Sequence, residues 1–510
     1  MFACEVRSGV LNDVMNESST HPESHALPLG HELFFALVRP VGVAGDDFCR
    51  KLAGVLLSYN YDTQFVKLSD ILVDLLLSED KVDLTSDSYD VRLGKLMDFG
   101  NGLCEKEGSA AAVALHGVAD IRRRREEVRK PSVGGGGLAE TSPARTCYVI
   151  DALKRPSEVT TLRAIYGDGL FIVGLQASIE TRRRTLTTEM TPASLGKSAE
   201  DVLETACRLI ERDLQESGSY GQNMLKTFPM CDIFIDIDSH VGDQTERVVD
   251  LIFGSPSFHP PTSSEYGMQL ADDARTRSAE LGRKVGAVMM RDGRSVIGMG
   301  ANSHPIIEAS PSFDASMVAV KELVLDTLRK LGDSHLREET VSCLTKDPNQ
   351  LVEDLLNGAL KDADIRDLTE FQNTVHAEMS ALLDALRSGH RIDDSVIYVT
   401  AYPCHGCAKH IISLGVNVEY LEPYPKSRAS AMYGDAVIGS FKPFTGVSPR
   451  RYRHLFVVAE DRKSATGRMK PWGRYERSTA IPLTASMDGE AVLARESDAL
   501  SALQGHNSGE

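Results

Sequence analysis

Four residues have types and spacing suited to metal-assisted hydrolysis. His376 and Glu378 lie two apart in TVHAEMSALL, and Cys404 and Cys407 three apart in YPCHGCAKH. A catalytic zinc takes three protein ligands and keeps one position for water. His376, Cys404 and Cys407 supply one imidazole and two thiolates, and the cation lowers the pKa of the water it holds. Pro403 precedes Cys404 and favours the first turn of a helix. That helix would set both sulfurs at its positive end, which stabilises thiolate. Glu378 can face the activated water without ligating the ion, take its proton and return it to a leaving amine. The competing arrangement is a closed structural site, for which His405 and His410 are the nearest fourth ligands. A helical turn aims His405 away from the sulfurs, to the rim. The complete spacing together with the glutamate favours the catalytic arrangement.

These residues need a scaffold. In front of them, KVGAVMMRDGRSVIGMGAN places Asp292 and Gly293 between two alternating apolar runs, a strong hairpin signal. A helix over 264–281 leads into it, and helix-rich sequence follows to Leu360. After the histidine come strand VIYVT, a helix and strand VNVEYLE. Upstream, the short apolar runs LFFALV, FVKL, YVIDAL, LFIVGLQ and DIFIDI alternate with helical stretches such as 198–216. That alternation predicts a parallel sheet with helices on both faces. GSPSFHPPTSSEYG at 254–267 marks the boundary between the two halves. The expected organisation is a disordered tail over 1–30, one α/β domain over 31–255, a second over 262–465 and a loose tail over 466–510. A flexible excursion carrying GGGG interrupts the first domain at about 122–143.

At 510 residues the chain is too long for one ordinary core, and its 42% hydrophobic and 25% charged content is that of a globular protein. It has no apolar run long enough to span a bilayer, and its first 25 residues lack a signal core. Nine scattered cysteines suit a reducing, cytoplasmic compartment. A net charge of −17 argues against a polymeric nucleic acid as partner, because phosphate binding needs excess Lys and Arg.

H-x-E…P-C-x-x-C is the signature of zinc nucleobase deaminases. With it, the C-terminal half resembles deoxycytidylate deaminases. The whole chain resembles the bacterial anti-phage dCTP deaminases, which join a P-loop-kinase-like domain to an α/β/α cytidine-deaminase-like domain. VGAVMMRDG with GMGANSHP, TVHAEMSALLDALRSG, PCHGCAKHIISLGV, YLEPYPKSRASAMYGDAV and PFTGVSPRRYRHLF carry the resemblance in the second half. YVIDALKRPSEVTTLRAIYG and GQNMLKTFPMCDIFID carry it in the first. The resemblance implies Zn2+ as cofactor and Glu378 as proton shuttle. It also implies Asn302 on the nucleotide sugar, and a deoxycytidine nucleotide as substrate, dCTP or dCMP, whose loss would starve phage replication. A homo-oligomer and an unknown regulator are further expectations. Lys426 and Arg428, in EPYPKSRAS shortly after the cysteine helix, suit a phosphate pocket; an ordinary polar loop is the alternative. Housekeeping supply of dUMP, polynucleotide editing and a non-catalytic zinc protein stay open. The negative charge and single Trp weigh against editing.

The first half departs from its resemblance at one place. A working phosphate loop reads G-x-x-x-x-G-K-[ST]. After LFFALV the chain reads RPVGVAGDDF. Gly42 and Gly45 are present, but Asp46 and Asp47 stand where the Lys and Ser/Thr would fall. Carboxylates there repel phosphate, so a regulatory or architectural role is expected, without ATP turnover. Arg122–Arg125 and Arg182–Arg184 could meet nucleotide phosphates, or form solvated helix faces.

Overall fold

The computed structural model describes residues 32–80, 84, 87–129, 145–191, 198–254, 259–303, 315–332, 334–361, 363–367, 374–423, 427–457, 463–470, 474–483 and 489–506. Two sheets organise the chain. The first is built from β1 (Leu33–Val38), β2 (Asp62–Lys67), β3 (Thr146–Leu153), β4 (Leu170–Gln176) and β5 (Ile233–Asp236). All five run parallel, in the order β2-β3-β1-β4-β5. Every residue of β1 is buried, as expected of a central parallel strand covered on both faces. The pleat sends alternate residues to opposite sides. Phe34, Ala36 and Val38 join one core, Leu33, Phe35 and Leu37 the other.

The second sheet contains β6 (Gly286–Arg291), β7 (Ser295–Ala301), β8 (Ser395–Ala401), β9 (Asn417–Glu422) and β10 (Phe441–Pro443), in the order β7-β6-β8-β9-β10. β6 and β7 form the expected hairpin, with Asp292 and Gly293 at φ 55 and 63, as a type I′ turn requires. The helix Ser263–Arg275 covers one face through Met268, Ala271 and Ala274. The helices Ala377–Arg387 and His405–Ser413 cover the other. The first of these lies directly on β7. A Cβ at Gly298 or Gly300 would stand 2.2 or 2.4 Å from the Ala381 backbone. Between the hairpin and this helix, Ala315–Leu331 and Pro348–Asn357 pack on a small core of their own around Val320, Val324, Val352 and Leu356, with the helix Glu338–Lys346 between them in the chain. No described helix is long and apolar enough to cross a membrane.

Several boundaries differ from expectation. Residues 122–129 belong to the helix Ala112–Arg129, so the excursion does not begin at 122. The rest of it, and the tail over 1–30, lie outside the described residues. β11 (Gly446–Val447) leaves the second half and pairs antiparallel with β5. The following helix, Pro449–Phe456, sits there too, with Leu455 in the first half's core. The stretch from 466 is not loose throughout. Arg474–Thr479 and Gly489–His506 are helical, and both dock on the first half. Arg477 pairs with Asp250 at 2.9 Å, and Glu496, fully buried, pairs with Arg125 at 2.9 Å. The docking partners lie hundreds of residues away, which local sequence cannot reveal.

Candidate metal centre

The three donor residues arrive from two helix starts. His376 is the N-cap of Ala377–Arg387 and Cys404 the N-cap of His405–Ser413. Pro403 therefore stands one residue outside its helix, because Cys404 takes the capping role: its Sγ accepts the Cys407 N–H at 3.4 Å. β8 delivers Pro403 and Cys404 to the carboxyl end of the sheet. A bridge between Ser303 and Val375, with N···O of 3.1 and 2.9 Å, fixes the residue before His376. His376 Nδ1 lies 3.4 Å from Cys404 Sγ and 3.4 Å from Cys407 Sγ. The three donor atoms fall within 4.8 Å of one another, and both cysteines are buried.

This geometry fits zinc. A tetrahedral ion about 2.0–2.1 Å from nitrogen and about 2.3 Å from sulfur separates those donors by roughly 3.5 Å. The hydrogen bond from Cys407, then His376, draws the Cys404 thiol down to about 4. The bond to Cys404 raises the His376 imidazole. Cys407, facing that thiolate and then Glu378, is pushed up. A dication is what lets two adjacent thiolates coexist. His376, Cys404 and Cys407 thus form a donor set that Zn2+ would fit.

Glu378 lies in the first turn of the same helix as His376 and is 4% exposed. Burial pushes its carboxyl up to about 7. It reaches Cys407 by hydrogen bond yet stands outside the three-donor group. His405 and His410 stand outside it too; His405 is half-buried, with its carbonyl accepting the Tyr433 hydroxyl at 3.4 Å, and His410 is exposed.

The remaining sequence candidates are placed less directly. Asn302 follows β7. Its Oδ1 accepts the Val285 N–H at 2.7 Å and its Nδ2 donates to the Arg283 carbonyl at 2.8 Å. The amide keeps one donor and one lone pair for other use. Lys426 lies outside the described residues. Arg428 is exposed and caps the short helix Ala429–Tyr433, which three hydrogen bonds stitch to the metal loop. These are Ser427 to the Pro403 carbonyl at 2.7 Å, Tyr402 with Ser430 at 3.0 Å, and the Tyr433 bond just described. Sequence reasoning missed Tyr402 and Tyr433, and also Glu280, which accepts the Thr374 hydroxyl at 2.7 Å two residues before His376. Tyr402 had a signal, being an aromatic directly before Pro403.

In the first half, Gly42 has φ 84, and a Cβ there would stand 2.7 Å from the Arg182 carbonyl oxygen. Gly45 caps the helix Asp46–Ser58. The arginine clusters are largely spent within the chain. Arg123 and Arg124 pair with Asp120, Arg125 with Glu32 and Glu496, and Arg182 donates to the Val41 carbonyl at 2.8 Å.

The profile of the cytidine and deoxycytidylate deaminase zinc-binding region matches residues 261–421. The deoxycytidylate deaminase of Enterobacteria phage T2 is 30% identical over 146 residues, 28% of this chain and 72% of that protein. ComE operon protein 2 of Bacillus subtilis is 48% identical over 52 residues, 10% of this chain and 28% of that protein. The dCMP deaminase of cyanophage S-TIM5 in apo form matches at 20% identity with a TM-score of 0.20, over 35% of this chain and 94% of that one. With a match over most of the phage T2 enzyme's length and the zinc donors in place, the chain belongs to the deoxycytidylate deaminase family.

Proposed function

We propose that the chain hydrolyses the C4 amine of deoxycytidine nucleotides, converting dCTP to dUTP and dCMP to dUMP with release of ammonia, and that dCTP depletion serves defence against phage. The observation that carries the chemistry is Glu378: a buried carboxyl beside the three zinc donors but not one of them. Zn2+ at this site supplies the Lewis acidity that makes water nucleophilic near neutral pH. Glu378 accepts the proton that the attacking water sheds and delivers it to the departing amine. Its burial keeps bulk water from competing for that proton. Lys426 and Arg428 are the proposed phosphate contacts. The stitching of Ala429–Tyr433 to the Pro403 loop supports Arg428 in that role. Asn302 offers its remaining donor to the sugar. The test is product analysis after incubation with dCTP or dCMP, with and without ATP. Formation of neither dUTP nor dUMP would refute the reading.

We read the first half as a P-loop-kinase-like domain that does not turn over ATP. Five parallel strands with a glycine loop after the central one support the architecture. The loop supports the loss of activity. The Val41 N–H donates to Asp213 Oδ2 at 2.7 Å, so a carboxylate of the protein occupies a donor that a phosphate would need. Asp46 and Asp47 stand exposed at the helix start.

A further inference from the structure

The carboxyl ends of β1, β2 and β3 open onto a cavity of ≈ 340 Å³ whose lining residues all precede Asn223. It lies where the strand order reverses, with β3 and β2 to one side of β1 and β4 and β5 to the other. In open α/β sheets, ligands bind outside the carboxyl ends at that switch point. The volume falls within the range of small-molecule sites.

Three features define what fits. One wall is apolar, formed by Leu68, Leu72, Leu93, Leu96 and Met97. The cations of the floor are neutralised within the chain: Arg39 by Asp151 at 3.0 Å, Lys154 by Asp213 at 2.8 Å, Arg155 by Glu158 at 3.1 Å. Arg92, also lining the cavity, is exposed and forms no ion pair among the described residues, which leaves one positive charge over. Gln222, only 6% exposed, lines the same cavity, and its Oε1 has no hydrogen-bond partner. A buried amide oxygen left this way calls for a donor. The Val41 N–H of the glycine loop is already held by Asp213 and is not offered to an anion.

We propose that this cavity binds a nucleoside monophosphate. Its flat base lies on the leucine and methionine wall, the Gln222 amide turns to present Oε1 to a base N–H, and its phosphate pairs with Arg92. Every nucleobase of DNA has apolar faces and an N–H edge, and the phosphate supplies the anion that Arg92 lacks.

The test is calorimetric titration of the full-length, zinc-loaded Glu378→Ala protein with dTMP, dUMP, dAMP and dGMP, and with thymidine as the uncharged control. Binding alone is read, and because dUMP and dTMP can also enter the deaminase site, a binding event counts for this cavity only where Arg92→Glu weakens it. At least one monophosphate should bind saturably at one site per chain, and thymidine at least tenfold more weakly than dTMP where dTMP binds. Arg92→Glu, at an exposed position that leaves the fold alone, should weaken binding at least tenfold. Gln222→Leu, checked by thermal melting, should do the same. Absence of saturable binding by all four monophosphates at millimolar concentration overturns the proposal. So does unchanged affinity in either folded variant.

Discussion

Glu378→Ala separates the chemistry of the metal centre from its architecture. General acid–base help is worth about 10²–10⁴ in rate. Here one carboxyl both takes the proton from water and gives it to the amine, so a loss near 10⁴, about 5.4 kcal/mol of barrier, is expected. Zinc content should stay at one per chain, because the carboxyl is not among the donors. Stability should not fall with activity. Burial raises the Glu378 carboxyl from the usual range near 4.5 to about 7, a difference of about 2.5. At about 1.36 kcal/mol for each unit, holding it ionised costs the zinc-depleted fold roughly 3 kcal/mol. A raised folded-state pKa makes this cost absent below about 4.5 and complete only above about 7. Removing the carboxyl should therefore help the zinc-depleted protein more at pH 8 than at pH 5, against the cost of the small cavity left behind. The assay pairs dUTP or dUMP formation with zinc analysis and thermal melts at both pH values on one preparation. Deamination within a few-fold of wild type would refute the proton-shuttle role. Loss of zinc would make Glu378 a ligand.

Cys404→Ala should lose the single zinc and loosen the helix that Cys404 caps, read by metal analysis and hydrogen exchange; full zinc occupancy in a Cys404/Cys407 double variant would disprove the donor set. ATP hydrolysis should stay at background and deamination should need no ATP, whereas turnover that vanishes on altering Gly42 or Gly45 would show a working loop. Arg125→Ala leaves Glu32 and Glu496 buried without their cation, so unfolding should become easier by about 3–5 kcal/mol, measured in urea; a change under 1 kcal/mol would mean that the Gly489–His506 helix is not docked. Glu265→Ala should cost a similar amount, about 3–5 kcal/mol, and lower the melting of both halves together, which separate thermal transitions would contradict.

What the sequence made legible was local. His376, Glu378, Cys404 and Cys407 were readable because a metal site on two helix starts imposes short, fixed spacings. The Asp292–Gly293 hairpin was readable because two successive positive φ values restrict the residues that fit. The helical stretch at 198–216 was readable as such, and the structure places it at Ala199–Leu214 with Ser198 and Asp201 forming its capping box. What failed was long-range. β11 is two residues long and has no period to detect. The helix Gly489–His506 mixes buried Val492 and Glu496 with small and polar residues, so its apolar face is weak. Glu496 becomes intelligible only beside Arg125, 371 positions earlier. Asn302, which the resemblance implies on the nucleotide sugar, has another use that sequence does not show: it holds the Arg283–Val285 backbone, which depends on a tertiary turn.

The same long-range contacts explain why the two halves form one structural unit. Glu265, fully buried at the start of the second half, accepts from Arg247 at 2.8 and 2.6 Å, from the Thr262 N–H at 2.8 Å and from the Val447 N–H at 2.8 Å. One carboxylate thus ties a helix of the first half to the first helix of the second and to the edge strand that returns. Arg451, just after that strand, donates to the Leu170 carbonyl at 2.6 Å and stacks over Phe171. Separating the halves would take Arg247 from buried Glu265 and the Leu170 carbonyl from Arg451, a cost of several kcal/mol apiece. Beside this joint, a cleft of ≈ 640 Å³ is lined by Lys226, Met230 and Cys231 from the first half and by Arg275, Arg283 and Glu422 from the second. The Arg283 carbonyl accepts Asn302, and Ser303 bridges the residue before His376.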